Sequence, residues 1–206
     1  MDRDFIYAGA SKDATHRLLL LHGWGADVND LVPLGEELRQ GLSGINLELV
    51  ALRAPEKHPE GSGRQWYGLF PPQWAQVPFA INDLQRRIKF FSRVSIPLEK
   101  TVILGFSQGG AMALAAGLDL PIAGVVACSA YPHPNWVPPK QSPPIFLTHG
   151  LNDEVVPYEA SRKLIGALRD NELDVELDVF DGGHQIPLEM IPRIQSILLK
   201  WFIAAK

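Results

Sequence analysis

Short apolar runs, too brief for helices, alternate along this chain with stretches of helical period. Residues 18–21, 102–104, 125–128 and 145–147 are continuously hydrophobic. A strand that is apolar at consecutive positions buries both faces, which is the pattern of a parallel sheet covered on each side. Residues 30–42 instead set Leu31, Leu34, Leu38 and Leu42 on one side, with Glu36, Glu37 and Arg39 elsewhere. Residues 78–94 repeat that spacing with Ile81, Leu84, Ile88 and Phe91. The order reads strand 17–22, helix 30–42, strand 46–52, helix 78–94, strand 101–104 and a helix from Gly109. Strands 122–128 and 145–149, helix 158–168, strand 173–180 and helix 188–202 follow. This predicts a mainly parallel sheet with helices on both faces, with residues 5–7 as an antiparallel edge strand. The 206 residues fit a single domain, 1–206.

In such a sheet, chemistry gathers at the carboxyl ends of the strands. The loops to inspect are therefore His22-Gly23-Trp24-Gly25, Ser107-Gln108, the stretch containing Asp153, and Asp181-Gly182-Gly183-His184. Gly105-Phe106-Ser107-Gln108-Gly109 falls between a strand and a helix, the setting of a nucleophile elbow. The turn leaves no room for side chains two positions either side of the serine, and glycine supplies that room. Ser107 then stands above the sheet edge at a helix N-terminus, which favours developing negative charge.

A serine hydroxyl needs a base, and the base needs a group to hold it. Six histidines are available. His16 and His58 fall in expected surface segments and His133 in the proline-rich stretch 132–144. His22 and His149 precede glycines, where they shape turns. His184 follows the last strand in a glycine-containing loop that can return the imidazole over Ser107, so it is the expected base. Asp153 can accept the Nδ1 hydrogen and fix the tautomer, with Glu154, Asp178 and Asp181 as competitors. An oxyanion needs two N–H donors; the expected ones are the backbone of Gln108 and that of Trp24, whose flanking glycines let it turn.

His22-Gly23-Trp24-Gly25, Gly105-Phe106-Ser107-Gln108-Gly109-Gly110, the run from His149 to Pro157 and Gly183-His184 together resemble the phospholipase/carboxylesterase family. That family includes acyl-protein thioesterases and small bacterial carboxylesterases, and the resemblance runs from about Leu18 to the C-terminus. It implies an α/β-hydrolase fold and a metal-free Ser-His-Asp hydrolase with no cofactor. It implies an ester or thioester substrate and oxyanion donors at Trp24 and Gln108. The family commonly has leucine where Trp24 stands, and an acidic residue where Gly68 follows Trp66-Tyr67.

The long connection 53–77 holds Trp66, Tyr67, Phe70 and Trp74 close together, an expected apolar wall for an acyl chain. The segment 131–144 is too short and proline-rich for a lid domain, so a shallow site taking short to medium acyl groups is expected. The net charge of −4 gives no reason to expect nucleic acid as a partner. The single cysteine, Cys128, rules out an intramolecular disulfide and reads as a buried core residue. The first four residues lack the pattern of a signal peptide, and no apolar run could span a bilayer. A cytoplasmic enzyme without a stable membrane anchor, acting on a small or acylated substrate, is expected; a homodimer is left open. A peptidase or other acyl hydrolase on the same fold is the competing enzyme reading. A non-catalytic binding protein would be expected to have lost a triad member.

Overall fold

The structure, a computed structural model, describes residues 4–8, 13–92 and 96–205. Met1 to Arg3, and the last two residues of the expected helix 78–94, lie outside these. In chain order the elements are β1 (Phe5–Ala8), β2 (His16–Leu21), α1 (Val32–Gln40), β3 (Leu47–Leu52), β4 (Glu56–Lys57) and β5 (Arg64–Gln65). Then come α2 (Val77–Ser92), β6 (Thr101–Phe106), α3 (Gln108–Gly117), β7 (Gly124–Cys128), β8 (Ile145–Gly150), α4 (Glu159–Asp170), β9 (Val175–Phe180) and α5 (Ile191–Ala204). The small β4–β5 pair within the long connection has no counterpart in the sequence reading. Two-residue strands carry too little pattern to be legible.

Seven strands form one sheet in the order β1-β3-β2-β6-β7-β8-β9. Only β1 is antiparallel, and it pairs with β3 at the edge, as expected of residues 5–7. Alternation along each strand sorts the core into two layers. Leu19, Ile103, Val125 and Leu147 meet α2, α3 and α4 through Leu84, Met112 and Leu164. Leu18, Leu20, Val102, Leu104, Val126 and Phe146 meet α1 and α5 through Leu38, Ile194 and Leu198. Helix α3 is buried over its whole length, which explains its run of alanine and glycine. The edge strand β9 instead carries Glu176 and Asp178 on the face toward α5, where Arg193 bonds both at 2.6 Å. Charges on an exposed edge hinder further strand pairing.

His16 corrects the reading of a surface segment: it is 9% exposed and its ring lies 4.9 Å from that of Phe202. Beside it, Arg17 is buried under the sheet's amino edge, a feature a strand pattern does not announce. Its Nε donates to Glu48 Oε2 at 2.5 Å, its Nη1 to the Ile96 carbonyl at 3.0 Å, and its guanidinium covers Phe91. Removing one member of a buried pair leaves the other charge without compensation. Glu48→Ala should therefore destabilise the fold by about 3 kcal/mol, read as a lower urea midpoint, while Glu36→Ala on the surface should change it little.

Candidate active site

The register aligns the carboxyl ends of β2, β6, β7, β8 and β9, so the loops that follow them share one edge of the sheet. At the end of β6 the chain turns at Ser107, with φ 54° and ψ −119°. That backbone is strained for any residue other than glycine. The Ser107 N–H still donates to the Cys128 carbonyl at 2.8 Å, so sheet pairing with β7 holds the turn in place. A Cβ at Gly105 would run into the Gly109 backbone, and one at Gly109 into the carbonyls of Leu21 and His22. The same crowding seats the start of α3 against the end of β2. The first intrahelical bond of α3 is from Ala111 N–H to Ser107 O at 3.0 Å, so the Gln108 N–H precedes it.

His184 lies in the loop after β9. Its Nδ1 is 2.7 Å from Asp153 Oδ2, and its ring rests 4.7 Å from that of Phe106. Asp153 Oδ1 accepts the N–H groups of Val155 at 2.9 Å and Val156 at 2.8 Å. Burial pushes the Asp153 carboxyl upward, but the bonds from His184, Val156 and Val155 outweigh it and hold the group below the usual carboxylate value. The competing acids are elsewhere. Glu154 is exposed, Asp178 is held by Arg193, and Asp181 accepts from Asn152 Nδ2 at 2.8 Å.

Ser107 and His184 open into one cleft of about 580 Å³. Its apolar walls are Trp24, Leu69, Phe70, Trp74 and Val155-Val156-Pro157. A larger hollow of about 790 Å³ lies beside α2 and includes neither residue. Its arginines are already engaged, Arg53 with Asp27 and Arg86 and Arg87 with Asp83. The cleft is therefore the site that joins the strained serine and His184 to an apolar wall.

Trp66 and Tyr67, expected in the wall, are 2% and 0% exposed and do not line the cleft. They hold the site together from below. Trp66 Nε1 donates to the His22 carbonyl at 2.9 Å. The Gln108 side chain accepts the Trp66 N–H at 3.0 Å and donates to the Tyr67 carbonyl at 2.9 Å. Gly25 and Ala26 exchange backbone bonds with Arg64 at 2.9 and 2.8 Å, so the loop after β2 is tied to the same segment. Trp24 sits between His58 and Phe70, with its Nε1 donating to Gln65 Oε1 at 2.9 Å. Gly25 follows with φ +80°, the left-handed turn that the flanking glycine permits. Phe70 is 70% exposed and Trp74 37%, and both do line the cleft. At Gly68 a Cβ would press on the side chain of the exposed Gln73, which would have to move aside for a larger residue.

The sequence reading missed Leu69, Phe106, Tyr131 and the valines after Asp153 as lining residues. The valines carried a signal: two apolar residues in a loop directly after a strand, one of them, Val155, 68% exposed. It also left His133 as a loop residue. His133 is buried, its Nε2 is 2.9 Å from the Tyr67 hydroxyl, and that hydroxyl is 2.7 Å from Tyr131's. Burial pushes Tyr131 up to about 12. Cys128 is buried as expected, with its thiol pushed up to about 12.

A mainly parallel sheet with a strained serine between its central strand and a buried helix, and a histidine–aspartate pair opposite, defines an α/β-hydrolase. The phospholipase/carboxylesterase family model matches residues 2–202, and the chain belongs to that family of ester-hydrolysing enzymes. Acyl-protein thioesterase 1 of Neurospora crassa is 34% identical over 50% of this chain, a stretch that spans 46% of the fungal protein. The Saccharomyces cerevisiae protein of the same name is 30% identical over 73% of this chain and 75% of its own length. Esterase PE8 superimposes with a TM-score of 0.81 at 27% identity, covering 95% of this chain and 96% of that one. No helix among the described residues is long and apolar enough to cross a membrane.

Two outcomes test this architecture. Gln108→Ala keeps the backbone N–H but releases the Trp66-Tyr67 segment, so kcat on a short ester should fall by about 10-fold or more while Ser107 still reacts with a phosphonate. The second concerns His133, whose burial lowers its pKa to about 4 from an ordinary 6.5. Between those values the unfolded chain binds the extra proton, so stability is present above about 6.5 and is lost as the pH falls toward 4. From pH 7 to pH 5 the loss from this group should be about 2 kcal/mol. Urea unfolding at the two pH values should show a smaller drop for His133→Gln than for the wild type.

Proposed function

We propose that this protein hydrolyses carboxylic esters or thioesters of short to medium acyl chains through a Ser-His-Asp triad and an acyl-enzyme. The observation that carries the reading is the 2.7 Å contact between His184 Nδ1 and Asp153 Oδ2 at the mouth of the cleft that also exposes Ser107. Asp153 keeps the proton on Nδ1, which leaves the Nε2 lone pair for the Ser107 hydroxyl. Nε2 takes the Ser107 proton as Oγ attacks the acyl carbonyl. The oxyanion that forms is met by the N–H groups of Gln108 and Trp24. Nε2 then returns the proton to the departing alcohol or thiol, and the acyl group stays on Oγ. A water, deprotonated by His184, attacks the acyl-enzyme and releases the acid. No metal or other cofactor takes part in this scheme.

Trp24, Phe70 and Trp74 wall one side of the acyl group, and Val155, Val156 and Pro157 the other. The open, apolar cleft supports chains of short to medium length. The leaving group would be a small alcohol or the thiol of an acylated protein. The lone buried thiol of Cys128 suits the reducing cytoplasm, where we place the enzyme.

p-Nitrophenyl esters from acetate to octanoate test the reading directly. Ser107→Ala should lose about 10⁴-fold in kcat with the fold intact, and mass spectrometry should place a phosphonate adduct on Ser107 in the wild type. Asp153→Asn should cost orders of magnitude and Glu154→Gln little; the reverse pattern would overturn the acid's assignment. Trp24→Leu keeps its N–H and thins the wall, so kcat on acetate should hold. On octanoate, kcat/KM should rise by about 10-fold, since a methylene in an apolar pocket is worth about 1–3 kcal/mol.

A further inference from the structure

His149 is the penultimate residue of β8, four residues before Asp153, and is fully buried. The turn-shaping role expected of it does not account for its contacts. Its Nε2 lies 2.7 Å from the Val156 carbonyl and 3.3 Å from Asp153 Oδ2. Its Nδ1 lies 2.8 Å from the hydroxyl of Ser161, a buried residue in the first turn of α4. A carbonyl and a carboxylate can only accept, so Nε2 must carry a hydrogen. In the neutral ring Nδ1 then accepts the Ser161 hydroxyl hydrogen. The opposite tautomer would set a nitrogen lone pair against two oxygens.

These bonds close the loop that bears the acid. Val156 gives its N–H to Asp153 Oδ1 and its carbonyl to His149. The imidazole thus ties β8 to α4 across residues 151–158 and sets its Nε2–H beside the carboxylate oxygen that faces His184. We propose that His149 is a positioning residue for the catalytic acid, with Ser161 fixing the tautomer that lets it act. The proposal rests on the reading of Asp153 as the group that orients His184.

The test is a double-mutant cycle on acetate and octanoate esters. His149→Asn withdraws the donor from the loop, and His149→Gln puts an amide N–H near the place of Nε2. His149→Asn should lower kcat on both esters by about 30-fold, since displacement of catalytic groups by about 1 Å can cost 10²-fold. KM on acetate should stay within about 3-fold, and His149→Gln should recover most of the loss. In an Asp153→Asn background the same His149 change should cost less than about 3-fold, because the acid it positions is already lost. Ser161→Ala removes a single oxygen; should His149→Asn fail to fold, it carries the test, with a kcat loss of about 5-fold that vanishes in the Asp153→Asn background.

Equal losses in both backgrounds, or a change confined to KM on octanoate, would overturn the proposal and leave His149 a structural residue beneath the wall. A mild Asp153→Asn single variant would instead overturn the orienting role of Asp153, and this inference with it.

Discussion

Between β6 and α3 the chain changes direction within one residue, and the closeness of backbones there governs what surrounds it. Gly105 and Gly109 face neighbouring backbone with no space for a Cβ. Because Gly109 presses on the carbonyls of Leu21 and His22, the end of β2 must lie beside the turn. That brings the loop bearing Trp24 next to the helix start bearing Gln108. The Ser107 N–H bond to Cys128 carries the strained turn on the central pairing of the sheet. Strain of this kind persists only where the surroundings over-determine it. Here the surroundings are β2, β7 and a helix buried along its whole length.

The second support is the segment that begins at Arg64. Side-chain bonds from Gln108, a ring bond from Trp66 and backbone bonds from Arg64 join three loops that are distant in sequence. Neutral hydrogen bonds of this sort are each modest, but buried ones are costly to leave unmade. The arrangement therefore holds as a unit. Phe70 and Trp74 are the outward continuation of that segment, so this wall of the cleft stands on the framework that holds the loop bearing Trp24.

Much of this was legible in the sequence. Strands β2, β6, β7 and β8 are buried on both faces, and their unbroken apolar runs say so. The loops after β6, β8 and β9 bring together Ser107, Asp153 and His184, because the parallel strands end on one edge. The aromatic cluster was read less well. Four rings near one another show that a loop is packed, but not which rings face inward, and Trp66 and Tyr67 are the inward pair. Long-range polar contacts were invisible for a related reason. Arg17 with Glu48, and His133 with Tyr67, become partners only once β2 lies beside β3 and the proline-rich stretch folds under the cleft. No local spacing encodes such pairs.

The two walls of the cleft differ in what they stand on. Val155, Val156 and Pro157 belong to the loop whose backbone holds Asp153, so altering their shape disturbs the charge beside His184. Leu69, Phe70 and Trp74 lie beyond the Trp66-Tyr67 anchor, on a tight turn closed by the Gln73 N–H on the Gly68 carbonyl at 2.8 Å. They bear none of Ser107, Asp153 and His184. A ring on the aromatic side can thus be exchanged without disturbing the contact between His184 and Asp153. On the valine side the shape of the cleft and the setting of the Asp153 carboxylate change together.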